Sequence, residues 1–311
     1  MRTVPIVFAF DNNLVLPACV CISSLMMNAD ENTFYDIYIL HSKHEKLNRE
    51  PLNKLPKYFP RCKVQYRLVD ETFDSAFEIR GITTPAYYRL LIPELIPEYD
   101  KIIYSDVDVI FRSDLSDLYF NIDLDDYYVA GVNSLLHLIP EFKMYYENLS
   151  KVPDKIIYSG NLIINSRKIR KDNLIPVFKK LSSNNYKFQD MDILNIACGN
   201  KIKYLEPDFC FTTYIYQWIV YDRSKLYSFW SDESIDRALK IGTIHYNGNK
   251  PWKQYSVNFD IWWEYYRKSP FFDDRFYFDF FYYRLNIFDQ LSLWKRIKIL
   301  LRYFFYGKRV Y

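Results

Sequence analysis

A chain of 311 residues, half of them hydrophobic, can bury one large α/β core, or one core followed by a tail. Its formal charge of +3 is unevenly spread: residues 291–311 carry six basic side chains and no acid, so residues 1–290 sum to −3. A slightly acidic body argues against nucleic acid as a partner of the whole chain. The 7 glycines form no phosphate-cradling loop, and no apolar run reaches the roughly 18 residues of a membrane span.

In chain order, residues 4–10 are nearly all apolar, as a strand buried on both faces should be, with Pro5 near its start. Asp11-Asn12-Asn13 turns the chain, and Pro17 suits the first turn of a helix that runs to about Ala29. Residues 36–40 read as a second strand, 46–55 as a polar helix bent by Pro51, and 63–69, which alternate, as a third strand. A helix over 83–91 with Pro85 in its first turn leads to a central strand over 102–111. Further strands are expected over 127–132, 156–165 (broken by Ser159-Gly160), 201–205 and 241–246, with helices over 167–181, 190–198 and 257–268. The β-α-β-α-β order predicts an α/β fold with a mostly parallel, doubly wound sheet over residues 1–269. An aromatic, basic helical tail would occupy residues 270–311. Arg2 precedes a short apolar run that meets Asp11 with no small-residue cleavage site, so no secretory leader is expected. Five cysteines without C-x-x-C spacing fit reduced structural thiols in a cytosol.

Two stretches carry chemistry. Asp106 and Asp108 interrupt the apolar run from Ile102 to Phe111. In an extended segment, residues i and i+2 point to one side, so the two carboxylates could meet at one point. Carboxylates are costly to bury unless paired or bound to a cation, which points to a hard divalent ion; a strand end with solvated or capping aspartates is the alternative. His245, with Gly248 and Lys250 close behind, ends another expected strand. His with two Asp makes an N/O set suited to Mn²⁺, and Lys supplies a compact charge for phosphate. Asp11 and the Asp106/Asp108 pair both fall at strand ends, where ligands gather in such sheets. Asp190 and Asp192 lie in the first turn of a helix, where acids also serve as caps.

Five segments in order resemble glycosyltransferase family 8: Phe8-Ala9-Phe10-Asp11-Asn12-Asn13, Tyr87-Tyr88-Arg89-Leu90, Tyr104 to Phe111, Phe188 to Asn195, and His245 to Trp252. The bacterial galactosyl- and glucosyltransferases of lipopolysaccharide and other surface glycans belong there, with glycogenin more distant. The resemblance implies a GT-A nucleotide-sugar fold and transfer of a hexose, galactose or glucose foremost, from a UDP-sugar with retention. The acceptor would be a glycan or lipid-linked saccharide. Asp106, Asp108 and His245 would bind Mn²⁺ or Mg²⁺, with Gly248 and Lys250 at the diphosphate. Asp11 and Asn13 would hold uracil and ribose, Ala9 would line the uridine pocket, and Val107 would also contact the donor. Arg89 would sit over sugar and diphosphate, and Asp190 would accept hydrogen bonds from the donor sugar. Retention would follow from front-face attack assisted by the leaving phosphate rather than from a glycosyl-Asp190 adduct.

The chain also departs from that pattern. Met191 stands where Gln often follows the sugar-binding Asp, Leu14 where an aromatic often stacks on uracil, and Tyr158-Ser159-Gly160 where Asn precedes a small residue and Gly. Asn133 aligns only loosely with an acceptor-side acid of the family. These departures leave open a UDP-sugar-binding protein without transfer. Asp-x-Asp alone would also suit a haloacid-dehalogenase-like phosphatase, which gives the His-Gly-Lys segment no role. In the tail, Leu293, Trp294, Ile297, Leu300, Leu301, Phe304 and Phe305 share one helical side, and Lys295, Arg296, Lys298 and Arg302 the other, with Ile299 out of place. Basic and aromatic together fit an interfacial helix on anionic lipid, hence a cytoplasmic protein held peripherally at the inner face of the membrane; a helix packed on the catalytic domain is the alternative.

Overall fold

Strand β1, Arg2–Ala9, lies inside the sheet, and its alternation supplies both core layers. Ile6 and Phe8 pack into one layer with Cys19, Ile22 and Leu25 of helix Val15–Met27. Val7 and Ala9 pack into the other with Tyr87, Leu90 and Ile193. The structure, a computed structural model, describes residues 1–70, 84–149 and 152–306. The remaining strands are β2 (Thr33–Ser42), β3 (Cys62–Val69), β4 (Ile102–Ser105), β5 (Val109–Ile110), β6 (Val129–Asn133), β7 (Ile157–Ile164), β8 (Ile202–Leu205), β9 (Phe211–Thr212) and β10 (Ile244–His245).

Among the described residues, seven strands form one sheet in the order β3-β2-β1-β4-β7-β6-β8, and three form a second, β5-β10-β9. The large sheet is mostly parallel, as the sequence predicts, but β7 runs antiparallel to both β4 and β6. Full burial of Ile102, Ile103 and Tyr104 on β4 places the chain that follows at the sheet's carboxyl edge.

Several sequence expectations are corrected. The stretch 102–111 is not one strand: β4 belongs to the large sheet and β5 to the small one, and Asp106-Val107-Asp108 is the bend between them. The hydrogen bonds show why. The Asp106 N–H still donates to Gly160 O of β7 (2.8 Å), whereas Asp108 O accepts from Tyr246 N next to β10 (2.9 Å), so the chain changes neighbours across the pair. The 156–165 strand runs through Ser159-Gly160 as β7, but its ladder is irregular there: β4 pairs with Asn161 to Ile164, and the register to β6 shifts between Gly131, opposite Leu162, and Asn133, opposite Ile157. Residues 241–246 are not one strand either: Ile241 ends helix Asp232–Ile241, and β10 is only Ile244–His245. The 167–181 helix divides into Ser166–Lys171 and Ile175–Leu181, with Asn173 between them at φ 52°. Pro51 sits in the first turn of Glu50–Tyr58, where a helix accommodates proline, and the proline inside that helix is Pro56. The 83–91 segment is a 3-10 helix, Thr84–Leu91; Thr83 lies outside the described residues.

The chain divides into two compact units, Met1–Phe271 and Phe272–Tyr311. The second contains helices Asp274–Asp289 and Leu293–Tyr306. Lys308 and Arg309 of the expected basic tail lie outside the described residues.

Candidate active site

The bend after β4 and the end of β10 bring Asp106, Asp108 and His245 together, one ligand atom from each lying within 4.8 Å of the others. His245 Nε2 is 3.1 Å from Asp108 Oδ1 and 3.6 Å from Asp106 Oδ2. The other oxygen of each carboxylate is held from behind. Asp106 Oδ1 accepts from Arg89 Nη2 (2.8 Å) and Tyr104 Oη (2.6 Å). Asp108 Oδ2 pairs with Lys250, whose ammonium also donates to Tyr246 O (2.6 Å). The donor set, two carboxylate oxygens and an imidazole nitrogen turned to one point, suits a divalent cation of the Mn²⁺ type. Packing around it is tight. A Cβ at Gly160 would fall 2.1 Å from His245 Cε1 and 2.8 Å from Asp106 Oδ2, so only glycine permits the histidine's approach.

Charge is balanced in layers around this point. Burial raises the Asp108 carboxyl, but Lys250 and His245 outweigh it and hold the group well below the usual carboxylate range. Burial opposes the charge of Arg89, yet Asp106 and Asp190 more than restore it. Arg89 is fixed by bonds to Ala86 O (2.8 Å) and Ser159 O (2.5 Å), and it lies over the Tyr104 ring. Asp190 differs: burial pushes it up to about 6, against the lowering effects of Arg89 and Ser159. Its Oδ2 is 3.2 Å from Arg89 Nε but makes no hydrogen bond among the described residues. It is a buried acceptor with capacity to spare. Asp192, two residues on, does structural work instead. It accepts from Tyr145 Oη (2.7 Å), Tyr146 Oη (2.9 Å) and Phe188 N (2.9 Å), tying helix Pro140–Glu147 to helix Gln189–Cys198.

The model of a family described as "Glycosyl transferase family 8" matches residues 5–256. The chain belongs to glycosyl transferase family 8. Among its relatives, a Haemophilus influenzae protein bearing only the general description of a glycosyltransferase is 29% identical over 216 residues, 68% of this chain and 64% of its own. The glycosyltransferase GlyE of Streptococcus pneumoniae is 29% identical over 189 residues, 58% of this chain and 40% of its own. The chain thus spans less than two thirds of either relative. The solved galactosyltransferase LgtC, in complex with donor and acceptor sugar analogs, superposes with a TM-score of 0.69 at 22% identity, covering 86% of this chain and 96% of its own. The WbbM bifunctional glycosyltransferase does so with a TM-score of 0.69 at 21% identity, over 88% of this chain and 51% of its own. These likenesses establish a GT-A-type fold.

In this member of glycosyl transferase family 8, one cavity of about 430 Å³ is lined by Ala9, Asp11, Arg89, Asp106, Val107, Asp108, Asp190, His245, Gly248 and Lys250. All were singled out from the sequence. Asn13 is not on that wall; it is exposed, and its N–H donates to Asp11 Oδ1 (2.8 Å). A Cβ at Gly248 would meet nothing closer than Thr213 Oγ1 at 4.0 Å, so protein packing does not demand glycine there. The wall also holds Ser134, Leu136 and Tyr214, which the sequence reading missed. Ser134 follows β6, Leu136 opens a 3-10 helix over Leu136–Leu138, and Tyr214 lies in the first turn of helix Thr213–Asp222; none sits in a chemical pattern, and only the fold brings them in. Met191 and Tyr158, departures from the family pattern, line the cavity as well, and Met191 joins Leu136, Tyr146 and Ile156 in a small apolar cluster beside it.

Proposed function

We propose that this glycosyltransferase is a metal-dependent, retaining enzyme that moves a hexose from a UDP-sugar to a glycan or lipid-linked saccharide. The observation that carries the reading is the convergence of Asp106, Asp108 and His245 with Lys250, Arg89 and Asp190 on one cavity wall. Asp106, Asp108 and His245 would hold Mn²⁺. That ion would supply positive charge at the diphosphate as the glycosidic bond breaks. Lys250 adds a second positive charge on the same side, and its ammonium is already aimed by Tyr246 O. Gly248, with open space where a Cβ would be, lets the backbone come close to the diphosphate. Asp11 and Ala9, expected to take uridine, line the cavity, and Val107 lines it beside the two metal-site aspartates. Arg89 keeps Asp190 ionised and immobile, and the spare acceptor capacity of Asp190 suits sugar hydroxyls. An acceptor hydroxyl would enter from the same face that the diphosphate leaves. Met191 offers neither nucleophile nor hydrogen bond, which agrees with that course.

The second unit supports a peripheral role at a membrane. Trp294, Leu300, Phe304 and Phe305 of helix Leu293–Tyr306 are exposed, and Lys295, Arg296, Lys298 and Arg302 alternate with them. No helix among the described residues is long and apolar enough to cross a bilayer. Surface contact with anionic lipid would bring the enzyme to lipid-linked acceptors.

The test is turnover of a panel of UDP-hexoses with Mn²⁺, with the anomeric configuration of the product read by NMR. Retained configuration is expected. Inverted product, or a glycosyl-Asp190 adduct trapped by mass spectrometry, would overturn the front-face course. Binding of UDP-sugars without any turnover would favour the non-catalytic binding protein that Met191 and Tyr158 keep in view.

A further inference from the structure

We infer that Asn161 is a positioning residue for the metal site: it holds His245 in the one tautomer able to ligate. The inference rests on the metal reading above and concerns a side chain to which nothing in the family resemblance assigns a role.

Asn161 is fully buried on β7, opposite Ser105 of β4. Its Oδ1 is 3.2 Å from His245 Nδ1. Its Nδ2 donates to Ser105 Oγ (3.1 Å), and Ser105 Oγ donates to Asp106 O (2.8 Å). Three side chains thus link the small sheet, which carries His245, to the backbone of the first aspartate, where the chain leaves the large sheet. The direction of the chain follows from its last bond. The Ser105 proton is committed to Asp106 O, so Ser105 Oγ can only accept from Asn161. The amide NH₂ must then face Ser105, and the amide oxygen must face the ring. An oxygen can only accept, so Nδ1 carries a proton, and in the neutral ring Nε2 presents its lone pair. That lone pair faces Asp108 Oδ1 and Asp106 Oδ2. A lone pair among carboxylate oxygens is repulsive unless positive charge, a metal ion or a second ring proton, lies between them. The arrangement is therefore pre-set for a metal ion, as a hydrogen bond to the distal ring nitrogen is in metal-bound histidines generally. Cys210 Sγ, at 3.8 Å, is the other neighbour of Nδ1 and, as a weak sulfur partner, a poorer one than the amide oxygen.

The experiment compares the full chain as wild type, Asn161→Asp and Asn161→Leu. Mn²⁺ binding in the presence of UDP is read by the EPR signal of free Mn²⁺, and the histidine ring tautomer by ¹⁵N NMR with Mg²⁺. Asp keeps an acceptor against Nδ1 and should bind Mn²⁺ like wild type with Nδ1 protonated. Leu removes it and should weaken binding about 10–100-fold, with the ring proton on Nε2. If Asn161→Leu does not fold, Ser105→Ala frees the amide to rotate without touching the ring, and weaker Mn²⁺ binding is again expected. Wild-type affinity in a folded Asn161→Leu or in Ser105→Ala, or an Asn161→Asp variant as weak as Asn161→Leu, would overturn the inference while leaving the metal reading intact. A wild-type protein that binds no Mn²⁺ would overturn both.

Discussion

Asp190 should destabilise the fold it serves. Its carboxyl is pushed from 3.8 to about 6 by burial, so the folded state binds the proton more tightly than the unfolded chain does. For such a group the folding free energy carries no penalty below about pH 4, loses stability as pH rises from about 4 to 6, and keeps a constant deficit above that. About two units at 1.36 kcal/mol each put the deficit at about 3 kcal/mol. Asp190→Asn keeps the shape and removes the charge. Part of the gain is lost because Arg89 gives up one anion, although Asp106 still holds it. The net expectation is a gain of about 1–3 kcal/mol at pH 7.5, or a rise in Tm of a few degrees at roughly 2 °C per kcal/mol for a chain of this size. At pH 4.5 the wild-type carboxyl is mostly protonated when folded, and the difference should shrink by about two thirds. Differential scanning fluorimetry of the metal-free proteins at both pH values measures this, with donor turnover measured alongside. A variant that is more stable and inactive is expected. An Asp190→Asn protein that is no more stable at pH 7.5, or whose advantage is the same at both pH values, would refute the reasoning.

Two further outcomes follow from particular contacts. Gly160→Ala places a Cβ against His245 and Asp106; overpacking of this kind costs about 1–3 kcal/mol, and displacement of the ring should abolish Mn²⁺ binding in EPR titration. Removing residues 272–311 should release the protein from anionic vesicles in a sedimentation assay. The four basic side chains of helix Leu293–Tyr306 contribute up to about 4 kcal/mol at low salt, while Mn²⁺-dependent hydrolysis of the donor should persist in Met1–Phe271.

The residues with distinctive chemistry were legible in the sequence, and those with distinctive position were not. The apolar runs of β1 and β4 and the acids beside them announce buried strands with something to bind. The Asp-x-Asp pair was found for a reason that the structure replaces. Its carboxylates meet through the bend between two sheets rather than along one extended strand, because the backbone exchanges Gly160 for Tyr246 as a partner. Strand β10 is only two residues long, and its neighbour Ile241 is helical, so the strand expected over 241–246 has the right place and the wrong bounds. Gly160, with Ser159, reads as an interruption of an apolar strand, and Asn161 beside it carries no signal. Their meaning lies in contacts with His245, 84 positions or more away, which spacing does not encode. Ser134, Leu136 and Tyr214 reach the cavity from segments without chemical signal. Asn13 shows the converse: a plausible polar residue in the right turn whose side chain the cavity does not include.

The most direct test of the metal-dependent donor site is hydrolysis of the UDP-sugar that the wild-type enzyme turns over best, with and without Mn²⁺, beside Asp108→Asn. Asp108 Oδ1 faces His245 and its partner oxygen holds Lys250, so the substitution removes a ligand charge and loosens the lysine together. Hydrolysis that requires Mn²⁺ and falls by at least about 10²-fold in the variant is the expected result. Equal hydrolysis with and without the ion, or an Asp108→Asn enzyme as active as wild type, would contradict the assignment of Asp106, Asp108 and His245 as the metal site.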